Sequence, residues 1–245
     1  MIRRRIFMSN RESILSLLDN YKCTAILSGA GVSVPSKVPS FRGSGGLYSA
    51  FYEGYSPQEI LSALFFKRNK PTFWRYYEET FLGAQYQPNE LHKVARELEQ
   101  YDRLAGLVTQ NIDGLYTAAG VENILEIHGN CHEFFCTKCK VIKHSLKEFT
   151  KSKRGVYLCK QCGNVVRPNI LLYGEMYEPH LVRAYDSILR SADSLLVMGT
   201  GLEIGFHREK VLEFSGDILL YNGEDIKLEG YAGMREWTKK IITEY

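Results

Sequence analysis

Four of the six cysteines, Cys136, Cys139, Cys159 and Cys162, stand close together as two Cys-x-x-Cys pairs. A Cys-x-x-Cys hairpin turns two thiolates to one side. Two such hairpins complete a tetrahedron of sulfurs, each about 2.3 Å from a Zn²⁺ ion. With all four positions filled by protein, such a metal is structural and offers no open position for catalysis. The competing reading is a redox dithiol or a disulfide pair. Zinc is the expected occupant, holding the surrounding segment together where its local apolar core is thin. Cys23, inside an apolar run, and Cys131 are read as packing residues.

A second group of residues collects where strands should end. Gly29-Ala30-Gly31-Val32-Ser33 follows the apolar run 23–27. A glycine turn there could bring backbone close to a pyrophosphate at a helix start. On its own it is weak, because Val34 takes the place of a third glycine. Gln110-Asn111-Ile112-Asp113, Glu126-Ile127-His128-Gly129-Asn130, Gly199-Thr200-Gly201 and Asn222-Gly223-Glu224 each follow or close an apolar run. Ligands of open α/β sheets bind beyond the carboxyl ends of strands. His128 is the sharpest of these residues: an imidazole at a strand end, suited to general-base work.

The elements that must carry these residues alternate. Strands are expected near 23–27, 104–109, 124–127, 194–198 and 217–221. Helices are expected over 10–21, 57–67, 71–82, from Pro88 onward, 113–119, around Leu181–Leu189, and around Met234, Trp237 and Ile241. Ser9 and Glu12 have capping-box spacing. The alternation argues an α/β fold with a parallel sheet and helices on both faces. Residues 131–166 interrupt it as an insertion. The 245 residues are 44% apolar and 24% charged, with 31 basic against 28 acidic side chains, a net +3. This excludes wholesale disorder and a coiled coil, and gives no argument for nucleic-acid binding. Arg3, Arg4 and Arg5 read as a solvated arm. No apolar run approaches a membrane span and no secretory leader is visible, so a soluble cytoplasmic protein is expected.

Taken together, these motifs resemble the sirtuins. Gly29-Ala30-Gly31-Val32-Ser33, Val38-Pro39-Ser40-Phe41-Arg42-Gly43, Thr109-Gln110-Asn111-Ile112-Asp113, Glu126-Ile127-His128-Gly129-Asn130, the paired cysteines, Arg167 to Glu175 and Met198-Gly199-Thr200-Gly201 follow in that family's order. The resemblance spans roughly residues 12–242. It implies a Rossmann-like NAD-binding domain made of 10–35, 86–130 and 176–245. It also implies a smaller domain built from a helical module (36–85) and a zinc-binding module (131–175). NAD, as co-substrate, and an acyl-lysine peptide would meet between the two domains. Gly29, Ala30, Gly31 and Ser33 would lie at the pyrophosphate, and Phe41 and Arg42 on a closing loop. Gln110 and Asn111 would hold the ribose, Ile112 and Asp113 the nicotinamide, and Gly199, Thr200, Gly201, Asn222 and Gly223 the adenosine side. Leu171, Leu172, Tyr173, Gly174 and Glu175, with Leu202 and Glu203, would pair with the peptide as an added strand.

The implied reaction starts with attack of the acyl oxygen on C1′ of the nicotinamide ribose and loss of nicotinamide. His128 then takes a proton from a ribose hydroxyl, and lysine and acyl-ADP-ribose are released, with Asn111 beside the reacting ribose. The sequence departs from the family at Lys37, usually Gly, at Ser40, usually Asp, and at Gly201, usually Ser. The Pro-Ala that often follows is absent, because Leu202-Glu203-Ile204 runs into Gly205-Phe206-His207. An ADP-ribosyltransferase or NAD hydrolase using the same site is a second reading, and a non-enzymatic NAD-sensing zinc module a third. Sirtuins that take succinyl or malonyl lysine resemble one another in a Tyr with Arg three residues on, in the helix that lines the acyl channel, which would put Tyr77 at that channel. Here Tyr77 is followed by Thr80, and Tyr76 by Glu79. The expected acyl group is therefore acetyl or another neutral chain.

Overall fold

The computed structural model describes residues 10–39, 50–222 and 240–242. Within them the strands are β1 (Thr24–Ser28), β2 (Leu104–Thr109), β3 (Ile124–Glu126), β4 (Gly129–Cys136), β5 (Ile142–Lys143), β6 (Thr150–Lys151), β7 (Tyr157–Leu158), β8 (Val166–Ile170), β9 (Ser194–Met198), β10 (Asp217–Tyr221) and β11 (Lys240–Ile242). Six of them form one parallel sheet in the order β11-β10-β9-β1-β2-β3. Every residue of β1 and β9 is buried. A strand covered on both faces needs a continuous apolar run, which is how these two read. The chain builds outward from β1 to β3, then restarts on the other side of β1 with β9. The crevice beyond the carboxyl ends of β1 and β9 is therefore a topological switch point.

Helix α1 (Asn10–Leu18) buries Ile14 and Leu18 on one sheet face. The chain then makes a small helical unit, α2 (Pro57–Ile60), α3 (Ala63–Arg68) and α4 (Lys70–Tyr77). It returns with α5 (Glu90–Gln100), whose Leu91, Val94, Ala95 and Leu98 join α1 against Ile26, Leu107 and Leu196. The short α6 (Leu115–Ala118) adds Tyr116. The opposite face is covered by α7 (Pro179–Arg190) and α8 (Gly205–Glu213), which set Tyr185 and Val211 on Leu27, Val108 and Val197. A Cβ on Gly106 of β2 would lie 2.7 Å from Ile188 of α7, so glycine lets that helix sit down.

A third core joins the helical unit to the cysteine segment. Phe73, Trp74 and Tyr77 pack with Phe134, Val166 and Ile170, and the Trp74 ring lies 4.8 Å from that of Tyr157. Here β4 pairs antiparallel with β8 and β5, and β6 with β7.

Several boundaries differ from the periodicity reading. The two helices expected over 57–82 are three, because Ser62 caps a new start and Asn69 ends α3. Residues Glu78–Leu82 then widen into a π-turn. The helix expected over 113–119 shortens to Leu115–Ala118, since Gly114 stands at φ +72°. Of the last expected helix, Met234 and Trp237 lie outside the described residues, and Ile241 belongs to edge strand β11. Ser9, half of the expected capping box, also lies outside them. No helix among the described residues is long and apolar enough to cross a membrane.

Candidate active site and metal centre

At the switch point the turn after β1 and the turn after β9 touch backbone to backbone. A Cβ on Gly31 would meet Gly199 Cα at 2.8 Å, and one on Gly199, at φ +61°, would meet Val32 N at 2.4 Å. The Gly29 amide donates to Met198 O at 2.9 Å and the Gly31 amide to Gly199 O at 2.8 Å. Both amides expected to face a pyrophosphate are thus engaged within the protein. The glycines serve the close approach of two loops, which the motif alone does not distinguish from phosphate cradling.

From this seam a buried polar network runs inward. The Ser33 hydroxyl donates to Asp113 Oδ2 at 2.6 Å and accepts from Asn111 Nδ2 at 3.1 Å. Asn111 Nδ2 also donates to Gly29 O, and Asp113 Oδ1 accepts the Leu115 amide. His92, the third residue of α5, lies 3.4 Å from Ser33 Oγ through Nε2. Its Nδ1 accepts the Asn89 amide at 3.2 Å, so the ring proton sits on Nε2 and points at the serine. Burial pushes His92 down to about 4, against the pull of Asp113, and keeps it neutral. Asn111 Oδ1 is buried and has no partner among the described residues. Asn111 lines a pocket, open to solvent, together with Ser33, Ile112, Asp113, Thr80, Phe81 and Tyr86. An orphaned acceptor at the wall of such a cavity suits a ligand carrying N–H or O–H donors. That is the test a nicotinamide nucleotide has to meet, and these residues meet it.

His128 lies in the turn between β3 and β4. Its Nδ1 is 2.8 Å from Gln110 O, a group that only accepts, so Nδ1 carries the proton and Nε2 is the basic nitrogen. Burial lowers the basicity of His128, opposed by the Gln110 carbonyl. Gln110 ties this base to the seam, since its side chain donates to Thr200 Oγ1 at 3.1 Å and its amide to Ser28 O.

The expected peptide edge is heavily engaged. The Leu171 amide bonds His128 O, and the Leu172 amide bonds the Glu175 carboxylate. Tyr173 N and O pair with Leu61 and Ala63. Glu175 grips Arg167 through both its oxygens; burial raises its pKa, but Arg167 and the Leu172 amide together outweigh that and lower it. Gly174 and Glu203 are exposed, whereas Leu202 is buried, with φ +53°. Tyr77, expected to line the acyl channel, is fully buried with its hydroxyl on Cys131 O at 3.0 Å. The neighbouring residues Thr80 and Phe81, in the π-turn, line the cavity instead. Asn222 follows β10, half-buried. Phe41, Arg42 and Gly223 lie outside the described residues.

Reading motifs missed His92, Tyr177 and His207, all within reach of the site residues. Only His92 left a trace, as the third residue after the N-cap Asn89, where a capping side chain belongs.

In the second centre the Sγ atoms of Cys136, Cys139, Cys159 and Cys162 all lie within 4.8 Å of one another. Cys136–Cys162 and Cys139–Cys159 are 3.4 and 3.6 Å apart. Four sulfurs around one zinc at 2.3 Å stand about 3.8 Å apart, so the set fits the metal. Each knuckle closes with an amide on its first cysteine's carbonyl, Lys140 on Cys136 and Gly163 on Cys159.

A parallel sheet of order 3-2-1-4-5-6, a polar pocket at its switch point and a four-thiolate module on its flank define a nucleotide-binding enzyme of the zinc-bearing Rossmann-like kind. The model of the Sir2 family matches residues 29–205. An NAD-dependent protein deacetylase of Staphylococcus epidermidis is 38% identical over 219 residues, covering 87% of this chain and 86% of its own. A Sir2 structure with a deacetylated p53 peptide and 3′-O-acetyl ADP ribose superposes at TM-score 0.75, with 28% identity and 88% of each chain covered. Another, bound to a propionylated peptide, gives TM-score 0.74 at 27% identity, covering 90% of this chain and 89% of that one. The chain belongs to the Sir2 family.

Proposed function

We propose that this protein removes acetyl or other neutral acyl groups from protein lysine, consuming NAD and yielding nicotinamide and O-acyl-ADP-ribose. The observation that carries the reading is His128, whose tautomer the Gln110 carbonyl sets, at the switch point shared with the orphaned Asn111 Oδ1. NAD, when bound, supplies an electrophilic sugar carbon and nicotinamide as its leaving group. Asn111 Oδ1 and the Asp113 carboxylate would accept hydrogen bonds from it, Gln110 and Thr200 would border it, and His128 Nε2 would take up the proton of a ribose hydroxyl. Cys136, Cys139, Cys159 and Cys162 hold zinc, away from the chemistry, and steady β4 and β8, which lead from His128 to residues 171–175. The modules 36–85 and 131–175 act as one substrate-side unit through their shared aromatic core. The solved relative with a propionylated peptide supports a neutral acyl group. So does Arg75, the nearest cation in the acyl-wall helix, which is exposed and held by Glu53 at 2.8 Å. A cytoplasmic setting is in keeping with six cysteines that form no disulfide.

The test is incubation with NAD and an acetylated peptide, with products identified by mass. Acyl-ADP-ribose is expected. ADP-ribose attached to protein, or free ADP-ribose without deacetylation, would overturn the reading in favour of transferase or hydrolase chemistry.

A further inference from the structure

Beyond His128, on the side away from Gln110, stand two titratable groups that the mechanism above does not use. Tyr177, in the stretch between residues 171–175 and α7, has its hydroxyl 3.0 Å from His128 Nε2. The same hydroxyl is 3.3 Å from Nε2 of His207, on the first turn of α8. The rings of His128 and Tyr177 lie 5.8 Å apart and nearly parallel, at 12°. His207 is wholly buried among Tyr185, Phe206 and Tyr177, and its Nδ1 has no partner among the described residues. Burying an imidazole with one nitrogen unsatisfied is costly unless the other nitrogen is used.

The polarity of this chain follows from its last link. Gln110 O only accepts, so His128 Nδ1 carries the ring proton and Nε2 is a bare lone pair. Tyr177 must then donate its hydroxyl proton to Nε2. That leaves the phenolic oxygen as an acceptor for His207, whose Nε2 must carry a proton. Every bond points one way, from His207 through Tyr177 and His128 to Gln110, and such chains strengthen each other. Burial keeps the donors in these forms: it pushes the Tyr177 phenol up to about 12 and His207 down to about 3, the latter with His128 adding to the effect. His207 stands where the sequence leaves the Pro-Ala pattern, so the device belongs to this chain's own residues.

We infer that Tyr177, oriented by His207, is a positioning residue for the base His128, holding its Nε2 in place before and after it takes a proton. Before, the hydroxyl donates to the lone pair. A substrate hydroxyl that offers its own proton replaces it, and the Tyr177 O–H turns aside. After, Nε2–H donates to the phenolic oxygen, which has a second lone pair beside the one His207 uses. The inference rests on the deacylase reading for its kinetic consequence, but the relay itself does not depend on that reading.

Tyr177→Phe removes one oxygen from a half-buried ring and leaves packing intact. Turnover to acyl-ADP-ribose is expected to fall roughly tenfold, the usual worth of a hydrogen bond to a charged group. Nicotinamide exchange, which precedes the step His128 serves, should stay within about twofold, as should KM for NAD. His207→Ala should lose a few-fold alone and nothing further in the Tyr177→Phe background, while His207→Gln, which keeps an N–H donor, restores activity. Equal losses in exchange and turnover, or full turnover by Tyr177→Phe, would overturn the role. Nitrogen-15 imidazole spectra decide the relay without any turnover. They should show His128 protonated on Nδ1 and His207 on Nε2, with the His128 Nε2 resonance moving in Tyr177→Phe. The opposite tautomer at His128 would overturn it. A wild-type protein that forms no acyl-ADP-ribose would sink the deacylase reading, and the spectra would still pass judgement on the relay.

Discussion

The zinc module and the switch-point site are two polar centres built in opposite ways. The module draws its four thiolates from two short knuckles, each shaped by local chain geometry and brought together by the pairing of β4 with β8. The site draws Ser33, His92, Asn111, Asp113, His128, Tyr177 and His207 from six separate stretches, which meet only once the sheet and its helices have packed. A metal imposes its spacing on the sequence. A buried hydrogen-bond network imposes only that each group find a partner somewhere. The first is therefore autonomous and breaks all at once, whereas the second is distributed and should fail in steps.

The largest expected effect breaks the autonomous centre. Cys136→Ala leaves three thiolates, and structural zinc binding of roughly 10–16 kcal/mol is comparable to the stability of a whole domain. Zinc content should fall from about one per chain towards zero, with residues 131–175 opening to limited proteolysis. Retention of a full equivalent of zinc by a normally melting variant would contradict the assignment. Because β4 runs from the knuckle back to His128, activity should be lost along with the metal.

His128→Ala is the next largest effect and touches the distributed centre at one point. Turnover should drop by roughly 10²–10⁴, the usual contribution of a general base. The fold and NAD binding should survive, because the Ser33–Asn111–Asp113 network does not pass through His128. Calorimetry of NAD binding beside steady-state rates checks both halves. Loss of binding together with turnover would mean that the two polar clusters are one.

That asymmetry explains what the sequence made legible. The knuckles were visible from spacing, and the strands β1, β2, β9 and β10 from apolar runs that parallel sheets require. His128, Asn111 and Asp113 were visible because they follow strands directly. Tyr177 and His207 were not, since each is a single polar residue on or near a helix with no partner in its own segment, and His92 shows in the sequence only as a capping position after Asn89. Topology alone pairs residues 177 and 207 with 128. Tyr77 shows the converse. Its helical spacing was sound, but the π-turn at Glu78–Leu82 rotates Thr80 and Phe81 to the cavity and leaves Tyr77 in the aromatic core.

A smaller effect, on stability rather than rate, sharpens the contrast through pH. His92 is held at about 4, against about 6.5 in an unfolded chain. Between those values the unfolded state binds more protons than the native one, so stability falls as pH drops from 6.5 towards 4. His207 and His128, both lowered by burial, act in the same direction. Unfolding free energies from urea titrations at pH 7 and 4.5 should differ by roughly 2 kcal/mol for His92 alone, and His92→Gln should flatten that slope. An unchanged slope in His92→Gln would mean that the imidazole titrates alike in the native and unfolded states.

The smallest effect compares one backbone feature in both regions. Lys37, which closes the turn after Ser33, has φ +65°, and Lys140, which closes the first cysteine knuckle, has φ +59°. The second knuckle uses Gly163 at the equivalent place, with φ +69°. A side chain in the left-handed region costs about 1–2 kcal/mol, while glycine adds about 0.4–1 kcal/mol of unfolded-chain freedom. Lys37→Gly and Lys140→Gly should therefore each stabilise by roughly 0.5 kcal/mol, and the Ala variants, which keep the Cβ, should not. Thermal melts of all four variants with zinc saturated make the measurement. If Lys140→Gly stabilises and Lys37→Gly does not, the left-handed turn beside the nucleotide cavity has a side-chain contact that offsets its strain, and Lys37 belongs among the residues that shape the site.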